Sequence, residues 1–447
     1  MGRDTIHHID EARAALFQAL KEHWKEFNAL KVLVIEDAFG RFTFGVWGKN
    51  QNTKAFKNLL ASIKPFGADT WFQGTEVAGG FDPMELASSW DEAGSIDTSG
   101  EWDDRIRLVV RHRMLPAWQR TVRQPLLREL GRRDCPVVAF YSFKGGMGRS
   151  TALALFALDR MRHDEHVVVL DLDIDAPGLG TILPTDTPSS YGIVDYLLEL
   201  PVFGQRPDDL RDYYYTLDLP GIRSTGSVKV FPAGRLDGSY LGKMARLDFE
   251  AVDPADGGLR HPLEELIAQI HQELHPDWIL IDSRTGFSET AGMILSGLCD
   301  YHVLFGVQSA QSWEGLGYAI KKLGVDRVQR GFPQADLLLV HAMVPEALKE
   351  KRDDVLQAFA EKARDVCSDF YYLEPEQKRD EAFWYLDDAG SETSPDHPVA
   401  LSYRPAFSQA VSVSELLDAL DTAPAEIKDF CSTVAQRAES LIPGSFS

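Results

Sequence analysis

Residues 136–151 read PVVAFYSFKGGMGRST, an apolar run followed by a glycine-rich turn and the predicted start of a helix at Ser150. Glycines let the backbone turn tightly and direct successive N–H groups inward, and a helix N-terminus adds its free N–H groups and its dipole. This arrangement is typical of a site for a β-phosphate. The Ser150 hydroxyl is then placed to bind Mg²⁺, and Thr151 is placed to bond an α-phosphate.

Two positions depart from the phosphate-loop pattern G-x-x-x-x-G-K-[ST]. Phe143 stands where the pattern has its first glycine, and Arg149 stands where it has lysine. Arginine keeps the charge and can bind β- and γ-phosphate oxygens, but its geometry is stricter than that of an ammonium, so we expect slower chemistry. Taken alone, the stretch is also compatible with a glycine-rich turn that binds no ligand.

Acidic residues end two other predicted strands. Asp173 lies in the segment DLDIDAPG at 171–178, and Asp282 ends WILID shortly before Gly286. Ligands of open α/β sheets lie beyond the carboxyl ends of the strands. We expect Asp173 to order an attacking or Mg²⁺-bound water, Asp282 to hold Mg²⁺, and Gly286 to direct an N–H group at a γ-phosphate. Three such elements in this order predict a nucleotide site.

The wider pattern from residue 135 onward is one of apolar, β-branched strands alternating with helices. It predicts an α/β fold with a doubly wound, mostly parallel sheet over residues 135–447, with acidic helices in the C-terminal part. The predicted strands cover residues 136–142, 166–173, 227–232, 278–282, 302–307 and 336–342.

The N-terminal region has a different organisation. Residues 1–80 predict a small α+β module, and residues 81–134 predict a linker that leads into an arginine-rich helical connector. The module is expected to contain a helix at 5–27, hairpin strands at 31–35 and 42–48, and a helix near 54–63.

The arginine-rich segment, residues 105–133, has one acid and nine arginines in a chain whose net charge is −22. It could bind nucleic-acid phosphates, with Trp118 available for base stacking. It could also be a helical connector that docks on the acidic remainder of the chain or on an acidic partner, and we favour this second interpretation. The arginines are Arg105, Arg107, Arg111, Arg113, Arg120, Arg123, Arg128, Arg132 and Arg133.

Composition excludes several classes of protein. The chain has 447 residues, of which 44% are hydrophobic, so it is not a disordered protein. Its apolar runs fall far short of the ~18 residues that span a bilayer, and its charged N-terminus differs from a secretory signal, so we expect a cytoplasmic protein. Residues 411–441 hold six acids against two bases, which argues against a basic membrane-binding helix.

The motifs KGGMGRST, DLDIDAPGL and LIDSRTG resemble those of the deviant Walker A ATPases, the group that includes MinD and ParA. Within that group the chain is most similar to a variant branch whose loop reads K-G-G-V-G-R. The resemblance covers roughly residues 136–345, is expected to extend to residue 447, and does not include residues 1–104. It implies ATP and Mg²⁺ as ligands and a homodimer that closes over the nucleotide face.

The resemblance also implies roles for single residues. Lys144 is similar to the signature lysine, which reaches the partner's nucleotide, Asp173 to the switch I carboxylate, Asp282 to the Walker B acid, and Gly286 to the switch II glycine. The residues expected to contact the nucleotide are Gly145, Gly146, Met147, Gly148, Arg149, Ser150, Thr151, Arg284 and Gly286. The expected catalytic residues are Lys144, Arg149 and Asp173, and the expected metal ligands are Ser150, Asp173 and Asp282.

The role of Arg284 stays open between a γ-phosphate sensor and a salt bridge to one of the many acids. For the whole chain, the leading hypothesis is a nucleotide-switched regulatory ATPase with slow hydrolysis and a protein effector partner. The resemblance implies a role in bacterial conflict or phage defence. Two alternatives are a hydrolysis-deficient ATP-binding scaffold and a ParA-like nucleic-acid binder that uses the arginine-rich segment.

Overall fold

The chain forms two compact units in a computed structural model, Met1–Met114 and Leu115–Ser447. The structure describes residues 9–23, 31–36, 42–47, 58, 72–76, 94–95, 106–110, 118, 125–131, 134–219, 222–247, 261–345, 351–375, 379–380, 382–407, 412–422 and 425–441. Each unit has its own sheet.

The first unit contains one described helix and a five-stranded mixed sheet in the order β3-β2-β1-β5-β4. Its elements are α1 (Ile9–His23), β1 (Lys31–Glu36), β2 (Phe42–Trp47), β3 (Phe72–Glu76), β4 (Gly94–Ser95) and β5 (Ile106–Val110). Strands β1 and β2 pair antiparallel, as the predicted hairpin requires. The predicted helix near 54–63 lies outside the described residues except for residue 58.

The arginine-rich segment departs from the predicted helical connector at its start. Ile106–Val110 is a strand that pairs in parallel with β1, so the sheet of the first unit continues beyond the boundary expected at residue 80. The sequence IRLVV explains the difference, because its β-branched residues favour an extended strand over a helix. Seven of the nine arginines lie outside the described residues, and Arg107 and Arg128 lie within them.

The second unit is built on an eight-stranded sheet in the order β13-β12-β11-β6-β10-β7-β9-β8. The pairings are parallel except that of β8 with β9. The strands are β6 (Val137–Ser142), β7 (His166–Leu172), β8 (Tyr215–Thr216), β9 (Ser227–Phe231), β10 (Trp278–Ser283), β11 (Tyr301–Gly306), β12 (Asp336–Val344) and β13 (Val399–Ser402). All six predicted strands are present.

Helices connect these strands. They are α2 (Leu126–Glu129), α3 (Arg149–Arg162), α4 (Leu179–Ile182), α5 (Ile193–Phe203), α6 (Tyr240–Met244), α7 (Pro262–Leu274), α8 (Glu289–Met293), α9 (Ala310–Leu323), α10 (Val325–Gln329), α11 (Arg352–Phe370), α12 (Val413–Asp421) and α13 (Ala425–Ser440). A π-helical turn, Ile294–Leu298, follows α8. Within the described ranges, no helix is both long and apolar enough to cross a membrane.

Apolar cores cover both faces of the second sheet, which confirms the predicted doubly wound α/β fold. Val138 and Phe140 of β6 pack in one core with residues of α3 and α13. Val137 and Ala139, which alternate with them, pack in another core with residues of α5 and α7. Because side chains alternate along a strand, a strand that is apolar at every position needs helices on both sides.

Candidate functional site

The loop between β6 and α3 brings its backbone to the carboxyl edge of the sheet. Gly146 and Gly148 have φ of +74° and +72°, in the left-handed region that glycine adopts without strain. Gly148 is the N-cap of α3, so the free N–H groups of the first helical turn follow it directly. The loop therefore has the features of an anion site: adaptable glycine backbone and the positive end of a helix dipole.

Phe143, which replaces the first glycine of the usual pattern, anchors this loop. A Cβ atom placed on Gly315 of α9 would lie 1.9 Å from Cγ of Phe143, so the ring packs directly on the backbone of that helix. The ring also lies edge to face with Phe287, at a centroid distance of 5.1 Å. Phe143 thus adds a packing contact at the start of the loop, where the usual pattern has a conformationally free glycine.

A cavity of about 620 Å³ opens beside the loop. One end is formed by Gly145–Thr151 together with Asp173 and Arg284. Lys144, Asp282 and Gly286 are not part of its described lining. The structure thus brings most of the predicted nucleotide-contacting residues to one wall.

Arg149 and three oxygen-bearing side chains form a compact cluster at this end. Arg149 Nε donates to Asp282 Oδ1 at 2.6 Å, and Arg149 Nη2 donates to Asp173 Oδ2 at 3.1 Å. The Ser150 hydroxyl donates to Asp282 Oδ2 at 2.6 Å and lies 3.5 Å from Arg149 Nη2. Arg149 is only 6% exposed, and its Nη1 atom is buried with no partner in the described part of the chain.

Burial and charge determine the protonation of the cluster. Burial alone would lower the pKa of Arg149, but the carboxylates of Asp282 and Asp173 outweigh it and raise that pKa. Burial raises the pKa of Asp282, against the opposing effects of the Arg149 charge and the Ser150 hydroxyl. Arg149 is therefore a permanent cation in direct contact with two acids.

Asp171 is a site residue that the sequence motifs did not indicate. It is buried at the end of β7, and it accepts hydrogen bonds from the backbone N–H groups of Asp173 and Leu179, both at 3.2 Å. Burial and then the charge of Asp282 raise its pKa to about 8, so the carboxyl group is mostly protonated at neutral pH. It fixes the path of the loop that presents Asp173. In the sequence, the feature that could have indicated this role is the position of Asp171 two residues before Asp173.

The oxygen donors expected to bind Mg²⁺ do come together. Ser150, Asp173 and Asp282 provide a hydroxyl and two carboxylates, which are ligands that Mg²⁺ prefers. However, all three side chains lie within 3.5 Å of the Arg149 guanidinium, which occupies the space that they share. A second cation does not fit there while Arg149 keeps this position.

Three further predicted site residues, Lys144, Gly286 and Arg284, each have a different environment. Lys144 is exposed on the loop, with no ion pair among the described residues. The N–H group of Gly286, expected at a γ-phosphate, instead donates to Ser142 O at 3.4 Å. Arg284 lines the cavity and forms an ion pair with Asp175, as its salt-bridge interpretation requires.

The far end of the cavity was not predicted. It comes from β12, β13 and the turn after them, which lie on the opposite side of β6 from β10 and β7. Its main lining residues are Met343, Leu401, Tyr403, Arg404 and Phe407. Met343 has φ of +56°, rare for a residue with a side chain, at a register shift between β12 and β13. Only the apolar and aromatic composition of residues 399–407 could have indicated this wall, since the register shift has no local sequence signal.

Two described residues of the arginine-rich segment are engaged within the second unit. Arg128 Nε donates to Asp300 Oδ1 at 2.9 Å. The Trp118 indole N–H donates to Ser288 O at 2.6 Å, and its ring lies 4.9 Å from that of Phe287. These contacts match the docking interpretation for Arg128, and they occupy the indole N–H of Trp118.

No protein-family model matches the chain, and no curated protein matches it in sequence. In fold it is similar to solved ParA and MinD proteins. A ParA family ATPase from Chlorobium tepidum TLS is 16% identical, with 68% of this chain and 98% of that chain covered and a TM-score of 0.40. The cell division ATPase MinD of Pyrococcus furiosus is 18% identical, with 68% and 99% covered and a TM-score of 0.40. The MinC:MinD complex of Aquifex aeolicus matches at 15% identity, 67% and 94% coverage and a TM-score of 0.40.

Proposed function

We propose that this chain is a nucleotide-switched regulatory ATPase that binds ATP in the cavity beside residues 144–151. The observation that carries the proposal is the cluster around Arg149. A buried guanidinium is held by two acids, and its Nη1 atom has no partner among the described residues. A buried donor without an acceptor is costly, and a phosphate oxygen would satisfy it with a charge-assisted hydrogen bond.

The two ends of the cavity suit the two ends of a nucleotide. The glycine-rich backbone and the N-terminus of α3 offer N–H groups to the phosphates. Tyr403 and Phe407 offer aromatic faces to a base, and the volume of about 620 Å³ falls in the range of small-molecule sites. The choice of ATP follows from the resemblance of the motifs.

In the proposed hydrolysis, a water oxygen bonds to the γ-phosphorus as the bond to the bridging oxygen of the β-phosphate breaks. ADP leaves, and the proton of the water passes to the phosphate product. Asp173, on the cavity wall, orients this water, and Arg149 stabilises the developing negative charge. Lys144 is exposed and is therefore available to a second copy across a homodimer formed by the nucleotide face.

One experiment tests both binding and turnover. Mass in solution and phosphate release are measured with and without ATP for the native chain, Lys144→Ala and Asp173→Ala. We expect ATP to shift the native chain to a dimer, Lys144→Ala to weaken that shift, and Asp173→Ala to bind ATP with little phosphate release. A native chain that responds to ATP in neither assay would contradict the proposal.

The position of Arg149 also favours a second candidate, an ATP-binding scaffold without useful turnover. Its Nε and Nη2 atoms are committed to Asp282 and Asp173, which leaves only Nη1 for a phosphate. An arginine that reaches the transition state contributes about 10³–10⁵ in rate, so an arginine held back by acids forfeits much of this gain. The scaffold predicts ATP-dependent dimerisation without phosphate release.

Partners and biological role remain proposals that rest on the motifs. We propose a protein effector partner and a role in bacterial conflict or phage defence on the resemblance alone. Nucleic-acid binding is less favoured, since Arg128 is paired with Asp300. Membrane binding through the C-terminal helices is not favoured either, because α12 and α13 are rich in acids.

A further inference from the structure

The Arg149 cluster has the composition of a metal site with a side chain in place of the metal. The Arg149 guanidinium lies 2.6 Å from Asp282 Oδ1, 3.1 Å from Asp173 Oδ2 and 3.5 Å from Ser150 Oγ. These are the three side chains whose chemistry suits a divalent cation. One cationic group therefore already joins the oxygens that an ion would have to join.

Charge favours the guanidinium over an added ion. Asp173 and Asp282 supply two carboxylates, and Arg149 neutralises part of their charge through hydrogen bonds. A divalent ion bound to these carboxylates would lie directly beside the Arg149 guanidinium, which is only 6% exposed and contacts one oxygen of each. Two cations side by side in a buried site repel each other, and this repulsion opposes metal binding.

The guanidinium group also lies where a ligand could meet it, because Arg149 lines the cavity. Its Nη1 atom is buried and has no acceptor in the described part of the chain, so the group has spare hydrogen-bonding capacity. A phosphate oxygen bonded to this guanidinium from the cavity would connect the triphosphate to Asp173 and Asp282 through one planar cation. Connecting phosphates to protein carboxylates is the task that a divalent ion otherwise performs in nucleotide sites.

We propose that Arg149 takes the place of the divalent cation, so that the chain binds a nucleoside triphosphate without Mg²⁺. This inference rests on the proposed function. The inference extends that function by naming the ligand, which is the metal-free triphosphate anion, and the residue that determines this specificity, which is Arg149.

The test measures binding of ATP by calorimetry in EDTA and in Mg²⁺, for the native chain, Arg149→Gln and Arg162→Gln. Arg162→Gln is the matched control, because Arg162 lies on the same helix and pairs with Asp421 away from the cavity. When Mg²⁺ is removed, we expect the ATP affinity of the native chain and of the control to fall by less than about fivefold, which corresponds to about 1 kcal/mol. We expect Arg149→Gln to lose more than about tenfold in EDTA and to regain part of this in Mg²⁺.

The outcomes are separable. A native chain that binds ATP in Mg²⁺ but loses more than about fivefold in EDTA overturns the inference and leaves the proposed nucleotide site standing. A native chain that binds ATP in neither buffer removes the proposed function itself. If Arg149→Gln fails to fold, Mn²⁺ titration of the native chain by electron paramagnetic resonance decides, because tight binding of Mn²⁺ without nucleotide contradicts occupation of the site by Arg149.

Discussion

The two ends of the cavity are stabilised by different kinds of interaction. At the loop end, Arg149 is buried against Asp173 and Asp282 in a cluster of hydrogen-bonded charges. At the far end, Met343 and Phe407 are half-buried and pack on the apolar core beneath them. Removing one member of a buried charged cluster leaves the others uncompensated, whereas trimming an apolar wall loses contact area only. The loop end should therefore be intolerant of substitution, and the far end should tune affinity.

The largest effect is expected from Asp282→Ala. Arg149 loses its closest partner, and breaking a buried ion pair from one side costs about 3–5 kcal/mol of folding free energy. The free energy of unfolding is measured by chemical denaturation. Asp421→Ala is the control, because Asp421 pairs with Arg162 but its side chain is 65% exposed, so a change below about 1 kcal/mol is expected. Equal losses in the free energy of unfolding from the two substitutions would show that charge pairing does not stabilise the cluster.

The loop end was the more predictable of the two. Its residues fall in three short motifs, each directly after a strand, and the parallel sheet brings the ends of β6, β10 and β7 side by side. What the motifs could not predict is the direction of the Arg149 side chain, which depends on the burial of the acids around it. The protonated state of Asp171 depends on the same three-dimensional packing.

The far end could not be predicted, because it depends on contacts between distant segments. Met343 and Leu401 meet across the register shift between β12 and β13, and Phe407 follows in the turn after β13. The start of the arginine-rich segment shows the same limit in a different way. Ile106–Val110 forms strand β5 by pairing with β1, a contact between distant segments that the local density of arginines does not indicate.

The second largest effect is a pH dependence that arises at Asp171. Its pKa is about 8 in the folded chain and about 3.9 when unfolded, so between these values the folded state holds one more proton. Stability then falls as pH rises, by about 1.4 kcal/mol for each pH unit relative to a variant without this group. We expect the free energy of unfolding of Asp171→Asn, relative to that of the native chain, to increase from pH 5 to pH 8. Parallel unfolding profiles of the two chains over this range would contradict the raised pKa.

A smaller effect distinguishes the two ends by ligand. Phe407→Ala removes an aromatic face from the far wall, and loss of one base–aromatic contact costs about 1–3 kcal/mol, or about 5-fold to 150-fold in ATP affinity. Affinity for inorganic tripolyphosphate should not change, because that ligand has no base. Tyr318→Ala is the control, since Tyr318 is 63% exposed and is not part of the cavity lining. Equal weakening of ATP and tripolyphosphate by Phe407→Ala would show that the far wall supports the loop rather than a base.

The smallest effect is expected at Arg284, the other arginine of the loop end. It pairs with Asp175, but the two side chains are 40% and 38% exposed, so solvent screens the pair. A double-mutant cycle of Arg284→Gln and Asp175→Asn should give a coupling energy of about 0.2–1 kcal/mol. If this pair is the only role of Arg284, phosphate release and ATP affinity should stay within about threefold of the native chain. A loss of turnover approaching the roughly 10³ of an arginine finger would instead restore the sensor role. Arg149 and Arg284, both at the loop end of the cavity, would then stabilise the γ-phosphate together.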